Sequence, residues 1–229
     1  MNPADLQRSL HAVFLKSPAN LFDAFIQEAQ TFYTSPAHSL LELRRRENKK
    51  VRGDIFEEFC ILYLKHVRGY DDVWLLSDIP DDVLAALAMK RQDMGIDIVV
   101  RNKGEFYAVQ CKYKKPDPAK KSCITWKALS TFYALCMRTG PFQKYIVMTN
   151  CDYARHQGKK TEKDVSICLG TFRKLGGDDW LKMCAVVGTT VGFNVVTNVG
   201  TSVGTSVRPG PLSVEELRQK RLAYFSKTV

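Results

Sequence analysis

The stretch Asp97–Lys112, DIVVRNKGEFYAVQCK, decides how this chain reads. Two alternating apolar runs, IDIVVR and FYAVQCKY, flank the polar segment Asn102-Lys103-Gly104-Glu105, the pattern of a β-hairpin. A turn at Lys103-Gly104 sets Asp97 directly across from Gln110. Opposed residues of an antiparallel pair share a face, and side chains alternate along each strand. Asp97, Gln110 and Lys112 therefore converge on one face, provided that no bulge intervenes. A carboxylate, an amide oxygen and an ammonium so arranged form a metal site beside a cation, which is chemistry suited to phosphodiester hydrolysis. The same charges also fit the wet face of a half-exposed hairpin.

Working outward, Asp54–Val67 carries apolar residues at 56, 59, 60, 63, 64 and 67, a helical stripe. VWLLSD (73–78) reads as a strand and PDDVLAALAMKRQ (80–92) as a helix. A loop rich in Lys and Pro follows the hairpin, with Lys112, Lys114, Lys115, Lys120 and Lys121. Thr125 is positioned to cap the helix TWKALSTFYALCMR, which Gly140-Pro141 ends. QKYIVMTN (143–150) is a strand buried on both faces. The order helix, strand, strand, strand, helix, strand gives an α/β sandwich around a mixed sheet. VSICLG is a further short strand, and TFRKLGGDDWLKM a helix interrupted at Gly176-Gly177.

At the ends, residues 3–47 read as helices broken at Ser17-Pro18 and Ser35-Pro36. They run into a basic cluster of Arg44, Arg45, Arg46, Lys49, Lys50 and Arg52, either a solvated helix end or a patch that contacts phosphates. From Val186 to Val207 the chain is rich in Val, Gly and Thr, with VGT at 187, 199 and 203, too polar to span a bilayer. Ser213-Val214-Glu215-Glu216 then opens a short helix as a capping box. The expected divisions are an N-terminal helical extension (1–50), a core domain (51–184), and a linker with a C-terminal helix (185–229).

Composition narrows the partner. The 229 residues carry 34 Lys+Arg against 24 Asp+Glu, a net charge of +10, which favours a polyanion, nucleic acid first. The seven cysteines contain no CxxC pair and several lie in apolar runs, as in neither a disulfide framework nor a zinc site. The expectation is a reducing intracellular compartment, cytoplasm or nucleus, with no signal peptide and no transmembrane segment.

Three motifs now carry a resemblance. Gly53-Asp54-Ile55-Phe56-Glu57, Asp93-Met94-Gly95-Ile96-Asp97 and Val109-Gln110-Cys111-Lys112, in that order on a helix and two strands, resemble the GxxFE, DxGxD and QxK motifs of the PD-(D/E)xK nuclease superfamily, and more narrowly of the Mrr-type restriction endonuclease domain. Residues 51–150 carry it well and 151–184 loosely. TWKALSTF followed by KYIVMTN is similar to Mrr-like domains that accompany predicted phage and large-virus helicases.

The resemblance implies a restriction-endonuclease-like αβββαβ core, to which the N-terminal helices and the C-terminal linker plus helix are additions. It also implies a metal-dependent endodeoxyribonuclease. Asp97 is then the principal ligand of Mg²⁺ or Mn²⁺, with Gln110 supplying an amide oxygen and Cys111 its backbone carbonyl. Glu57 reaches the metal through water or steers the nucleophile, and Lys112 holds the attacking water or the transition-state charge. Gln110 stands where many relatives have Glu, which removes one negative charge and gives Glu57 more weight.

Each residue has a plainer reading: a capping box for Asp54 and Glu57, a turn for Asp93, core for Cys111, solvated loop for His156, backbone satisfaction for Thr149 and Asn150. DNA contacts fall to the basic cluster at 44–52 and to Lys114, Lys115, Lys120 and Lys121. A DNA-binding module without catalysis, targeting a helicase or repair partner, is the alternative, and a docking protein a third. Cleavage of both strands suggests a homodimer.

Overall fold

The computed structural model describes residues 3–16, 18–34, 49–92, 95–117, 119–156 and 160–185. Five strands form one mixed sheet in the order β1 (Asp72–Leu75), β2 (Ile98–Asn102), β3 (Glu105–Lys112), β5 (Lys144–Thr149) and β7 (Asp164–Ile167). The first three are antiparallel neighbours and the last two join in parallel. A separate parallel pair, β4 (Cys123–Ile124) and β6 (Tyr153–Ala154), stands beside it. With α3 (Lys49–Leu62) before the sheet and α5 (Trp126–Arg138) between β3 and β5, the expected helix-strand-strand-strand-helix-strand core is present, and β7 extends it.

The hairpin forms as its sequence dictates. Lys103 (φ 51°) and Gly104 (φ 79°) both take positive φ, as a two-residue turn matching strand twist requires. Ile98 pairs with Val109 and Asn102 with Glu105, the register expected. The Asp71 carboxylate fixes the turn by accepting from the Lys103 amide at 2.7 Å.

Each face of the sheet buries a different helical layer. On one side Val99, Ala108 and Val147 pack with α5 and with α4 (Asp81–Ala86) through Leu129, Phe132, Leu135, Val83 and Leu84. On the other, α3 lies against β3, and beyond it pack α1 (Pro3–Lys16), α2 (Leu21–Thr34), α6 (Leu169–Phe172) and α7 (Gly177–Ala185). Phe59, fully buried, is the hub there: its ring lies 5.3 Å from Phe22, 4.9 Å from Phe25, 5.6 Å from Phe172 and 6.0 Å from Trp180. The Trp180 indole N–H donates to the Leu10 carbonyl at 3.1 Å, tying the two ends of the layer. The division expected at residue 50 therefore crosses a shared core, because Phe22 and Phe25 of α2 fill the α3 surface. By their contacts, residues 1–188 group as one compact unit.

Three local readings change. The helix at 80–92 stops after Ala86: the Met89 amide donates to Leu84 O (2.9 Å) and the Ala88 amide to Ala85 O (3.1 Å), a Schellman stop with Ala88 at φ 52° where glycine is usual. Since α3 begins at Lys49, Asp54 and Glu57 lie inside it and form no N-terminal capping box. Thr125 occupies the α5 N-cap position but makes no side-chain cap; its carbonyl accepts from the Ala128 amide at 3.0 Å instead. The linker and C-terminal helix expected beyond residue 185 lie outside the described residues. Among the described residues no helix is long and apolar enough to cross a membrane. All seven cysteines are free, five of them buried.

Candidate active site

The hairpin's open end, where β3 leaves the sheet, faces the middle of α3 across a cleft of about 780 Å³. Glu57, Asp97, Gln110, Cys111 and Lys112 all line it, together with Asp54, Glu58, Gly95 and Tyr113. The five residues singled out from the sequence thus meet at one place. Their arrangement differs from a flat strand face in one respect, and the difference concerns Asp97.

Asp97 lies just outside β2. Its amide donates to Val109 O at 2.9 Å, and Val109 is already the register partner of Ile98, so two residues here face one: a β-bulge. Asp97 is consequently not directly across from Gln110. The extra residue re-aims its carboxylate to the edge of β3, where Oδ2 accepts from the Cys111 amide at 2.7 Å. The N–H and C=O of one strand residue point the same way, so the Cys111 carbonyl faces that edge too. Gly95 makes the approach possible. Its φ is +89°, a conformation side chains rarely adopt, whereas the space for a Cβ is ordinary, 3.6 Å from Gln110 Nε2 and 3.5 Å from the Phe132 amide nitrogen of α5.

The other donors arrive from both faces. Gln110 and Lys112 share the α5 face with Ala108, whereas Cys111 points to α3, where its buried thiol meets that of Cys60. Burial foremost pushes both thiols up, and each also feels the nearby carboxylates of Asp97 and Glu57. The two carboxylates therefore sit at the same junction of α3 and β3. Glu58, on the cleft's rim, is also pushed above its ordinary value, first by burial and then by Asp78 and Asp54.

Gln110 holds an anomaly. The residue is 3% exposed, and its Oε1 is buried with no hydrogen-bond partner. A buried carbonyl without a donor costs free energy, and such exceptions in native proteins mark strain, catalysis, or the place of a bound water or ion. Among the described residues no cluster of three His, Cys, Asp or Glu side chains could hold a metal ion. Any cation here would draw instead on mixed oxygen donors: the Asp97 carboxylate, Gln110 Oε1 and the Cys111 carbonyl, with Glu57 beyond. That donor set is hard and oxygen-only, and the orphaned Oε1 fits it.

Beyond Lys112 the chain enters a loop, residues 113–122, on which Lys114, Lys115, Lys120 and Lys121 are exposed. A second hollow of about 460 Å³ lies beneath it, but its charges are largely spent in pairs, Arg173 with Asp23 (2.9 Å) and Lys120 with Asp117 (3.2 Å). Arg44, Arg45, Arg46 and Asp93 lie outside the described residues, and for Lys49, Lys50 and Arg52 only the backbone of α3 is described. His156 is not a solvated loop residue: it bridges the Tyr133 hydroxyl and Ser166 Oγ, each at 2.8 Å, and pins the segment after β6 to α5 and β7. Glu58 and Tyr113 also line the cleft, and their one signal in the sequence is adjacency to Glu57 and Lys112.

Residues 65–175 match a family model of the Mrr catalytic type, described as a restriction endonuclease. The match contains Asp97, Gln110 and Lys112 and begins after Glu57. No curated protein and no solved structure matches the chain. The helicase-associated subgroup rests on the sequence of α5 and β5 alone. Matched motifs, a mixed sheet in the expected register and a cleft at the hairpin's open end agree: residues 65–175 are an Mrr-type restriction-endonuclease-like domain of the PD-(D/E)xK class.

Proposed function

We propose that this protein is a metal-dependent endodeoxyribonuclease whose site is the cleft between α3 and the hairpin. The observation that carries the reading is the buried, unpartnered Oε1 of Gln110, lining the same cleft as Asp97 and Lys112.

Asp97, Gln110 Oε1 and the Cys111 carbonyl would hold Mg²⁺ or Mn²⁺, with Glu57 acting through water. Once bound, the ion would polarise the scissile phosphate and offset the charge of the transition state. The chain's own groups do the rest. The bulge and the Cys111 amide hold the Asp97 carboxylate in one orientation, so little reorganisation is needed during reaction. Lys112 presents an ammonium to the water that attacks phosphorus or to a non-bridging oxygen of the phosphate. The water oxygen forms a bond to phosphorus, one P–O ester bond breaks, and the departing oxygen takes up a proton. Glu57 steers the nucleophile.

DNA would be held by its backbone. Lys114, Lys115, Lys120 and Lys121 leave the cleft's rim on one loop, and the basic run from Arg44 to Arg52 leads into and begins α3. Contacts of this kind give affinity that falls steeply with salt and carries little sequence information.

The test is a supercoiled plasmid incubated with the protein in Mg²⁺, Mn²⁺ or EDTA. Nicking or linearisation in metal but not in EDTA is expected. Intact plasmid under all three conditions, with salt-sensitive retention in a gel shift, would overturn the nuclease in favour of a DNA-binding module.

A further inference from the structure

The described residues bury only four polar side chains: Ser9, Gln110, Thr149 and Asn150. Three of these lie at one place, where β3 and β5 end beside the cleft. Gln110 belongs to the site already described. Thr149 and Asn150 line up with what leaves it.

Thr149 is the register partner of Lys112 and is 0% exposed. Its hydroxyl donates to the Lys112 carbonyl at 2.7 Å and accepts from the Cys151 amide at 3.1 Å. Asn150, 4% exposed, grips the residue two further on from both sides: Oδ1 accepts from the Lys114 amide at 2.8 Å and Nδ2 donates to the Lys114 carbonyl at 2.7 Å. Asp152 closes the far end of the loop. Its Oδ2 accepts from the Ser122 amide at 2.7 Å, and its own amide donates to the Ser122 carbonyl at 3.1 Å.

Three of the four residues from Thr149, the last of β5, to Asp152 therefore fasten Lys112, Lys114 and Ser122. This is more than satisfaction of a strand end. A lysine-rich loop whose described residues form neither helix nor strand would otherwise sample many conformations, and ordering it on DNA would cost affinity.

We propose that Thr149 and Asn150 are positioning residues: Thr149 fixes the backbone from which Lys112 enters the cleft, and Asn150 holds the lysine loop in place for the DNA strand lying across it. The proposal rests on the nuclease reading of the cleft. The two residues act on different quantities. Thr149 serves the chemistry, since displacement of Lys112 by about 1 Å is worth roughly 100-fold in rate. Asn150 serves binding, because its loop supplies phosphate contacts, each worth about one unit in the slope of log affinity against log salt.

The experiment uses the full chain and its variants Thr149→Val, Thr149→Ser and Asn150→Ala. Three quantities are measured: the plasmid cleavage rate at saturating DNA in Mg²⁺, the affinity for a labelled duplex in EDTA across a salt series, and trypsin cutting at Lys120 and Lys121. Thr149→Val should lose about 10- to 100-fold in rate with affinity unchanged, and Thr149→Ser, which keeps the hydroxyl, should restore it. Asn150→Ala should leave the saturated rate within about threefold, flatten the salt slope by about one to two units and expose the loop to trypsin. Thr149→Ala replaces Thr149→Val if the latter does not fold.

Equal losses of rate and affinity in both variants would overturn the proposal, as would a Thr149→Val protein that cleaves like wild type. Should wild type not cleave at all, the nuclease reading fails and takes the Thr149 role with it. An Asn150→Ala slope and trypsin pattern like wild type would then overturn the loop's role independently.

Discussion

Replacing Gln110 by Met should make the metal-free protein more stable while abolishing its activity. Met is nearly isosteric with Gln and flexible enough to fill the same space. The Gln110 carbonyl is buried without a donor, a penalty of about 1–3 kcal/mol that Met removes. Against this stands the repacking cost of a volume-conserving swap at a buried position, about 1 kcal/mol. The balance is a gain of about 1 kcal/mol, which for a unit of this size raises Tm by about 2–4 °C. Metal reverses the ranking. At tenfold above its Kd, an ion that binds only the folded state stabilises wild type by about 1.4 kcal/mol, and the variant loses most of this with its ligand.

Thermal unfolding of both proteins in EDTA and in Mg²⁺, with plasmid cleavage alongside, measures all three effects. A Gln110→Met protein that is less stable than wild type by more than about 1 kcal/mol in EDTA would refute the reasoning. So would one that cleaves at the wild-type rate.

Other consequences follow from the packing and the charges. Phe59→Ala empties the hub between α2, α3, α6 and α7 and should cost about 3–5 kcal/mol in urea unfolding; a loss below 1 would mean that α1 and α2 pack only loosely on the core. His66 and His156 are both held below the ordinary value of 6.5, chiefly by burial and then by Lys65 and Lys160 respectively. The fold therefore favours their neutral forms: their contribution is complete above pH 6.5 and is lost as pH falls below it toward the folded values. The urea midpoint should drop as pH falls from about 6.5 to about 5, and the drop should shrink when both are replaced by Gln. A midpoint that rises over this interval would contradict the assignment. Lys120→Glu with Lys121→Glu should weaken duplex binding and flatten its salt slope by about two units, measured by anisotropy; an unchanged slope would remove the loop from the DNA path.

The sequence revealed what local chemistry determines. Lys103-Gly104 between two alternating runs specified the turn, and the turn fixed the register through to Ile98 and Val109. The stripe of Phe56, Phe59 and Cys60 marks the buried face of α3, and Tyr63 and Leu64 continue it into the π-helical turn Tyr63–Val67. What stayed hidden depended on contacts distant in sequence. The bulge at Asp97 arises from Gly95 turning the chain beside α5, and nothing at 97 itself announces it. Ala88 ends α4 without the glycine that usually signals such a stop. The strand-end pair Thr149-Asn150 looked like ordinary backbone satisfaction; which backbone it satisfies, that of Lys112 and Lys114, becomes apparent only once β3 and β5 lie side by side. The packing of α1 and α2 into the α3 layer was hidden for the same reason, since their aromatic partners lie far along the chain.

The most direct test of the catalytic cleft compares wild type, Asp97→Ala and Lys112→Ala in plasmid cleavage with Mg²⁺, each also assayed for duplex binding in EDTA. Both variants should retain DNA and cleave at least about 100-fold more slowly, since each removes a group aligned with the reacting phosphate. Cleavage that survives either substitution at the wild-type rate would place the chemistry elsewhere.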